Sequence, residues 1–290
     1  MANNDGSMAY AKASHRFVKI APDIELAYLL DDFVDGWKQR PVVLMLHGIA
    51  ESGEAFNGWV PYLARHCTVI RLDLRGFGCS SPLKPEEMLS IGKYADEVDA
   101  FVSTLGLTQV HLIGAKLGAQ IGLYLAQRNA PWIASLTLAG VLISPATSLG
   151  KWIEEWISIV ESEGVQRWAQ LTMPGRMGAS MDPKAMQWWA SYMGKAPAVT
   201  VKACLRMLPS LIEPTAIRDI ECPTHVIAAV KSENSDRYNQ QPSLAYVRRW
   251  QQKIPNSSLS EIEADSYHVA ATHPDQCAKL AMKYLEELLS

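Results

Sequence analysis

The sequence predicts an α/β fold, a central and mostly parallel sheet flanked by helices. Three observations predict it. Short β-branched runs alternate with longer helical patterns through the first half, as crossover connections between parallel strands require. The longest apolar run, 132–143, is too short for a membrane span and is expected to be a strand buried on both faces. One of the short runs, at 110–113, passes straight into Gly114-Ala115-Lys116-Leu117-Gly118 and a helical pattern, a strand–turn–helix unit.

The elements follow in order. Val42–Leu46 (VVLML), after Pro41, is the first buried strand; a helical stretch at 56–66 leads to the strand Thr68–Leu72 (TVIRL). At 94–105, Ala95, Val98, Phe101, Val102 and Leu105 form a helix-period stripe. The strand at 110–113 and a helix at 117–128 come next. The apolar run 132–143, broken only by Ser135, Thr137 and Gly140, falls short of the ~20 residues of a membrane span and reads as a strand buried on both faces. The character then changes. Trp152, Trp156, Trp168, Trp188 and Trp189, and six of the eleven methionines, fall between about 145 and 215, punctuated by Pro174, Gly175, Gly178, Pro183 and Pro197 into short helices. The sheet pattern resumes at 224–230, with a short strand near 258–262 and a last amphipathic helix, Pro274–Leu289. The expected division is a core of 1–144 and 216–290 with a helical insertion at 145–215.

Composition narrows the function classes. In 290 residues, 27 Lys and Arg face 30 Asp and Glu, a net charge of −3 that offers no field for a phosphate backbone or an anionic membrane. Neither nucleic acid nor membrane is an expected partner. The five cysteines are odd in number, widely spaced and without a C-x-x-C pair, which points away from disulfides and zinc. His268 and His273 are five apart, not the spacing of a zinc helix, so no metal is expected. Gly76-Phe77-Gly78 lacks the third glycine of a dinucleotide fingerprint, and Gly114–Gly118 has its Lys before the second Gly, unlike a phosphate loop; no cofactor is expected. With no apolar segment at the start of the chain, a cytoplasmic location is expected.

Three local patterns fall in one order: His47-Gly48 after the first buried strand, Asp73-Leu74-Arg75-Gly76-Phe77-Gly78-Cys79-Ser80 after the second, and the Gly114–Gly118 pentapeptide. Ser266-Tyr267-His268 then precedes a Pro-initiated final helix. In these motifs the chain resembles the α/β-hydrolase superfamily, from about Ile24 to Leu289. The resemblance implies an α/β-hydrolase fold, an oxyanion loop at His47-Gly48, a helical cap at 145–215 and a catalytic histidine at His268. It also implies an oxyanion hole from the backbone N–H groups of Ile49 and Leu117.

The pattern departs at two positions. The family's elbow, G-x-S-x-G, carries a nucleophile at its centre, where this sequence has Lys116; Gly114, Gly118 and Gly122 are retained. The family's acid falls in the register Ala229-Val230-Lys231-Ser232, and the nearest carboxylates are Glu233 and Asp236. An ammonium at a helix N-terminus under an apolar cap is disfavoured by the dipole and by desolvation, which makes a neutral lysine nucleophile plausible. The expected enzyme cleaves a C–C or C–O bond of a small, largely apolar carbonyl substrate (ester, lactone or β-dicarbonyl). Its catalytic groups are Lys116 and His268, with Glu233 or Asp236 as orienting acid. His47, Gly48, Glu51, Trp152, Trp156 and Trp188 are candidate substrate contacts. Two other readings stay open: a silent ligand-binding homologue with Lys116 paired to a carboxylate such as Glu51, and a serine hydrolase bearing a Ser-to-Lys replacement. Exposed aromatics of the insertion are equally suited to pairing two copies as a homodimer.

Overall fold

The computed structural model describes residues 14–84, 86–142, 152–211, 217–230 and 236–290. The strands are β1 (Arg16–Ala21), β2 (Ile24–Asp31), β3 (Val42–Leu46), β4 (Thr68–Leu72), β5 (Val110–Ala115), β6 (Ile133–Ala139), β7 (Thr224–Ala229) and β8 (Ser257–Ile262). They form one sheet in the order β1-β2-β4-β3-β5-β6-β7-β8. The β1–β2 and β2–β4 pairs are antiparallel, and every other pair is parallel. The expected α/β-hydrolase architecture, a mostly parallel sheet flanked by helices, is present.

Around the sheet lie α1 (Val60–Leu63), α2 (Ile91–Thr104), α3 (Leu117–Gln127), α8 (Leu244–Gln251), α9 (Val269–Thr272) and α10 (Pro274–Leu289). Between β6 and β7 the described residues form α4 (Ile153–Glu163), α5 (Val165–Met177), α6 (Pro183–Met193) and α7 (Ala198–Met207). Strands β3 to β7 are buried on both faces because successive side chains enter different cores. Leu44 and Leu46 join α2, α3 and the inserted helices, while Val43 and Met45 pack with Phe56, Trp59 and the α10 residues Cys277, Ala281 and Leu285.

Two expectations differ from the structure. The 56–66 stretch is not one helix: a 3-10 turn at Gly53–Phe56 is followed by the four-residue α1, with Pro61 in its first turn. Proline suits the first turn of a helix, where its missing N–H is not needed, and here Pro61 opens a new short helix instead of continuing one. The β1–β2 hairpin, whose outer strand is half exposed, was not expected.

What positions the site is the reversal of strand order at β3, which has β4 on one side and β5 on the other. The loops that leave β3 and β5 at their carboxyl ends diverge there, opening the crevice in which open α/β sheets bind ligands.

Candidate active site

The β5–α3 turn is held in an elbow by its glycines. A Cβ on Gly118 would stand 2.0 Å from the carbonyl oxygen of Leu46, and one on Gly114 would stand 2.5 Å from that of Gly118. The Gly118 N–H donates to the His47 carbonyl at 2.9 Å, tying the elbow to the loop after β3. Between these glycines Lys116 has φ 56° and ψ −110°, a left-handed strain that the packed turn imposes on whichever residue stands at the tip.

Lys116 is partly buried, and its Nζ is the buried end. Its Nζ has no hydrogen-bond partner among the described residues and lies 3.2 Å from the centre of the Tyr267 ring. Burial, and then the Arg176 guanidinium, hold its pKa well below the ordinary 10.5, against a weaker opposing pull from Glu51. A cation–π contact is worth up to about 2 kcal/mol. Stripping an unpaired ammonium of water costs several kcal/mol. Desolvation outweighs the ring contact, which favours the neutral form of the amine.

His268 precedes α9, its backbone N–H bonded to Ser266 Oγ, which in turn donates to the Arg176 carbonyl. Its Nε2 meets Glu51 Oε1 at 2.5 Å. Glu51 leaves the loop after β3, and its other oxygen accepts from the Gly48 N–H at 3.1 Å. Burial alone would raise the Glu51 pKa, but the adjoining His268 and the Gly48 N–H bring it down to about 2, so it is a carboxylate at neutral pH. Burial lowers the pKa of His268 more than Glu51 raises it, with Lys116 and Arg176 adding to the depression. Together these favour neutral imidazole donating from Nε2, with a bare Nδ1 that has no partner among the described residues. Such a pair can take a proton from water.

Lys116, Glu51 and His268 line a cavity of about 80 Å³ closed from above by the insertion. Ile49, Leu117, Gln120 and Tyr267 line its sheet side; Trp156, Trp168, Arg176 and leucines 205, 208 and 211 line the other. The Leu117 N–H is among the first of α3, which have no intrahelical acceptor. The insertion is pinned to the loop after β3 through Tyr192 of α6, whose hydroxyl accepts from the Ser52 N–H at 2.7 Å.

The sequence candidates therefore separate. Lys116, His268, Glu51, Ile49, Leu117 and Trp156 come together at the cavity, whereas His47, Gly48, Trp152, Trp188 and Asp236 are not among its walls. His47 is a loop brace: its ring joins the Gly48 carbonyl at 2.8 Å and accepts from the Leu74 N–H at 3.0 Å. Gly48 contributes its N–H to Glu51, and a Cβ there would meet that carboxylate at 2.9 Å. Trp152 packs edge-on against Tyr238, and Trp188, 51% exposed, stacks on Tyr192. Asp236 accepts from the Tyr238 N–H at 2.8 Å and abuts Gly175. Glu233 lies outside the described residues.

Glu51 was expected as a partner for Lys116 in a silent site; it pairs with His268 instead. Arg176, Trp168, Gln120 and Tyr267 escaped the sequence candidates. Tyr267 is adjacent to His268, and its position in Ser266-Tyr267-His268 is the signal that could have found it. One trio of metal-capable groups occurs among the described residues, His15, Asp73 and Cys79, away from the cavity walls. Its Asp73 already accepts from the Gly53 and Cys79 N–H groups at 2.7 and 2.8 Å. No helix among the described residues is long and apolar enough to cross a membrane.

Comparison with known proteins agrees with this fold. Residues 41–182 match the model of the alpha/beta hydrolase fold family. A pimeloyl-[acyl-carrier protein] methyl ester esterase of Aeromonas hydrophila is 36% identical over 103 residues, 36% of this chain and 39% of that protein. A putative carbamate hydrolase of Agrobacterium fabrum is 29% identical over 127 residues, 44% of this chain and 48% of the other. These stretches thus span less than half the length of either relative. Among solved structures, an enol-lactonase of Burkholderia xenovorans superposes with a TM-score of 0.79 at 18% identity, covering 93% of this chain and 100% of the other. Matched by the family model, by its neighbours' fold and by its own elbow and sheet order, the chain is an α/β-hydrolase-fold protein.

Proposed function

We propose that the protein is an enzyme that cleaves a small, largely apolar carbonyl compound by a non-serine mechanism, with the neutral amine of Lys116 as nucleophile and the Glu51–His268 pair as base. The observation that carries this is the buried Lys116 Nζ, without a hydrogen-bond partner among the described residues, on the wall of the cavity that also holds that pair.

The chemistry of an amine favours one of the candidate classes. Attack on an ester or lactone would leave a lysine amide, which hydrolyses far more slowly than an ester, so for those substrates Lys116 would serve only as a base toward water. A β-dicarbonyl uses both groups. Lys116 adds to one carbonyl and loses water to give an iminium. A water deprotonated by His268 attacks the second carbonyl. The C–C bond breaks, its electron pair enters the iminium as an enamine, and a carboxylic acid departs. The enamine carbon recovers a proton from His268, and water hydrolyses the resulting imine to ketone and free amine. One water is consumed overall. The Ile49 and Leu117 N–H groups suit the oxygen that gains charge when water attacks.

The test is borohydride reduction at neutral pH with 2-butanone as probe, followed by peptide mass spectrometry. A reduced adduct on Lys116, absent from Lys116→Ala, is expected. No adduct, together with intact cleavage of 2,4-pentanedione by Lys116→Ala, would overturn the nucleophile assignment. No adduct and no turnover, with ligand binding retained, would identify a silent ligand-binding homologue.

A further inference from the structure

Resting on the same cavity being the ligand site, we infer that the ligand carries a carboxylate and that Arg176 binds it. Arg176 belongs to α5, is 7% exposed and lines the cavity from the insertion side. Its Nε has no hydrogen-bond partner among the described residues. A terminal nitrogen reaches only the Met193 sulfur, at 3.4 Å, and the guanidinium carbon lies 4.7 Å from the centre of the Trp168 ring. Among the described residues no carboxylate stands within ion-pair distance of it. Glu51 is the one acid on the cavity wall, and it is engaged with His268.

Lys116 and Arg176 differ in what burial can do to them. A lysine can escape the cost of an unpaired charge by losing its proton, and burial pushes Lys116 that way. A guanidinium does not deprotonate in proteins and remains a cation wherever the fold places it. Sulfur is a weak acceptor and an aromatic face offsets only part of the lost hydration. The planar, forked donor set is matched by a carboxylate bound through two parallel hydrogen bonds.

The rest of the wall points the same way. The indole Nε1 atoms of Trp156 and Trp168 are buried without partners among the described residues. Beside the bare His268 Nδ1, the cavity wall thus holds three N–H donors, Arg176 Nε and the two indoles, without acceptors among the described residues, in a setting where buried polar groups are normally satisfied. A ligand rich in oxygen acceptors supplies what the protein leaves out. The substrate class that follows is a short oxo acid, its carboxylate on Arg176 and its carbonyl toward Lys116.

Calorimetric titration with levulinate and with methyl levulinate, equal in carbonyl and differing in charge, tests this. The acid is expected to bind at least about tenfold more tightly than the ester, the scale of a charge-assisted hydrogen bond. Arg176→Gln should erase that preference and Arg176→Lys should keep part of it, with circular dichroism confirming that both variants fold. Equal binding of acid and ester to the unmodified protein, or a preference that survives in folded Arg176→Gln, overturns the inference. The outcome is separable from that of the adduct test. A 2-butanone adduct without acid preference refutes the carboxylate site alone, and acid preference without any adduct refutes the lysine nucleophile alone.

Discussion

Two loops leave β4 and β5, the strands on either side of β3, at the carboxyl edge of the sheet, and the regions they build treat charge in opposite ways. In the loop after β4, each buried charge has found protein partners. Asp73 accepts from two backbone N–H groups and faces His15 at 3.3 Å, and Arg75 bridges Glu87 and Glu97, both at 2.6 Å. Across the crevice, Lys116 has no hydrogen-bond partner among the described residues and Arg176 only the Met193 sulfur. The first loop is closed on itself and is structural. The second region holds donors whose acceptors the described protein does not provide, and that asymmetry separates a scaffold from a place where something binds.

The sharpest way to break the comparison is to change the tip of the elbow. Lys116→Met keeps the length and the backbone geometry, and should lower turnover of a responsive substrate by at least about 10³-fold, measured as kcat. It should leave the fold as stable or more so, because an apolar side chain then fills an apolar wall. A pH series sharpens this further. With its pKa depressed, folded Lys116 gives up its proton at a lower pH than the unfolded chain does. Its burial therefore costs less as pH rises from the depressed pKa toward the ordinary 10.5, by at most about 1.4 kcal/mol per pH unit. Urea midpoints at pH 7 and pH 9 should show this rise in the native protein and not in Lys116→Met.

The opposite substitution belongs to the satisfied loop. Asp73→Ala strands the Gly53 and Cys79 N–H groups in a buried place and should cost about 3 kcal/mol in a urea unfolding experiment. Its effect on the ligand site should be indirect. The smallest effect belongs to the surface: Trp188→Ala removes an exposed ring and should change stability by less than about 1 kcal/mol and leave kcat within about twofold. A large loss there would show that its stacking on Tyr192, and through it Ser52, steers the loop after β3.

Much of the scaffold was legible because local patterns and tertiary needs agree. The largely apolar runs of β3, β4 and β5 favour burial, and Gly114 and Gly118 mark the two places in the turn where a side chain would strike backbone. The single helix read at 56–66 failed because Pro61 sits where a short helix starts. Within the site, Lys116 and His268 were legible from their places beside the elbow and the last helix. Arg176 was not: α5 places apolar and polar residues in a weakly periodic order, so sequence spacing does not say which face meets the sheet. Glu51 was visible, but its partner was misassigned, since the choice between His268 and Lys116 depends on side-chain directions that only the folded loop sets.

The close approach of Gly118 to the Leu46 carbonyl has a consequence for how such a protein can change. The turn's path is dictated by atoms that are not part of its central side chain, so exchanging that side chain leaves the mounting unmoved. A lineage can therefore swap the reactive group in one codon and inherit its orientation intact. What must evolve separately is the wall around it, which decides whether the new group is charged, what it meets, and whether it does chemistry at all.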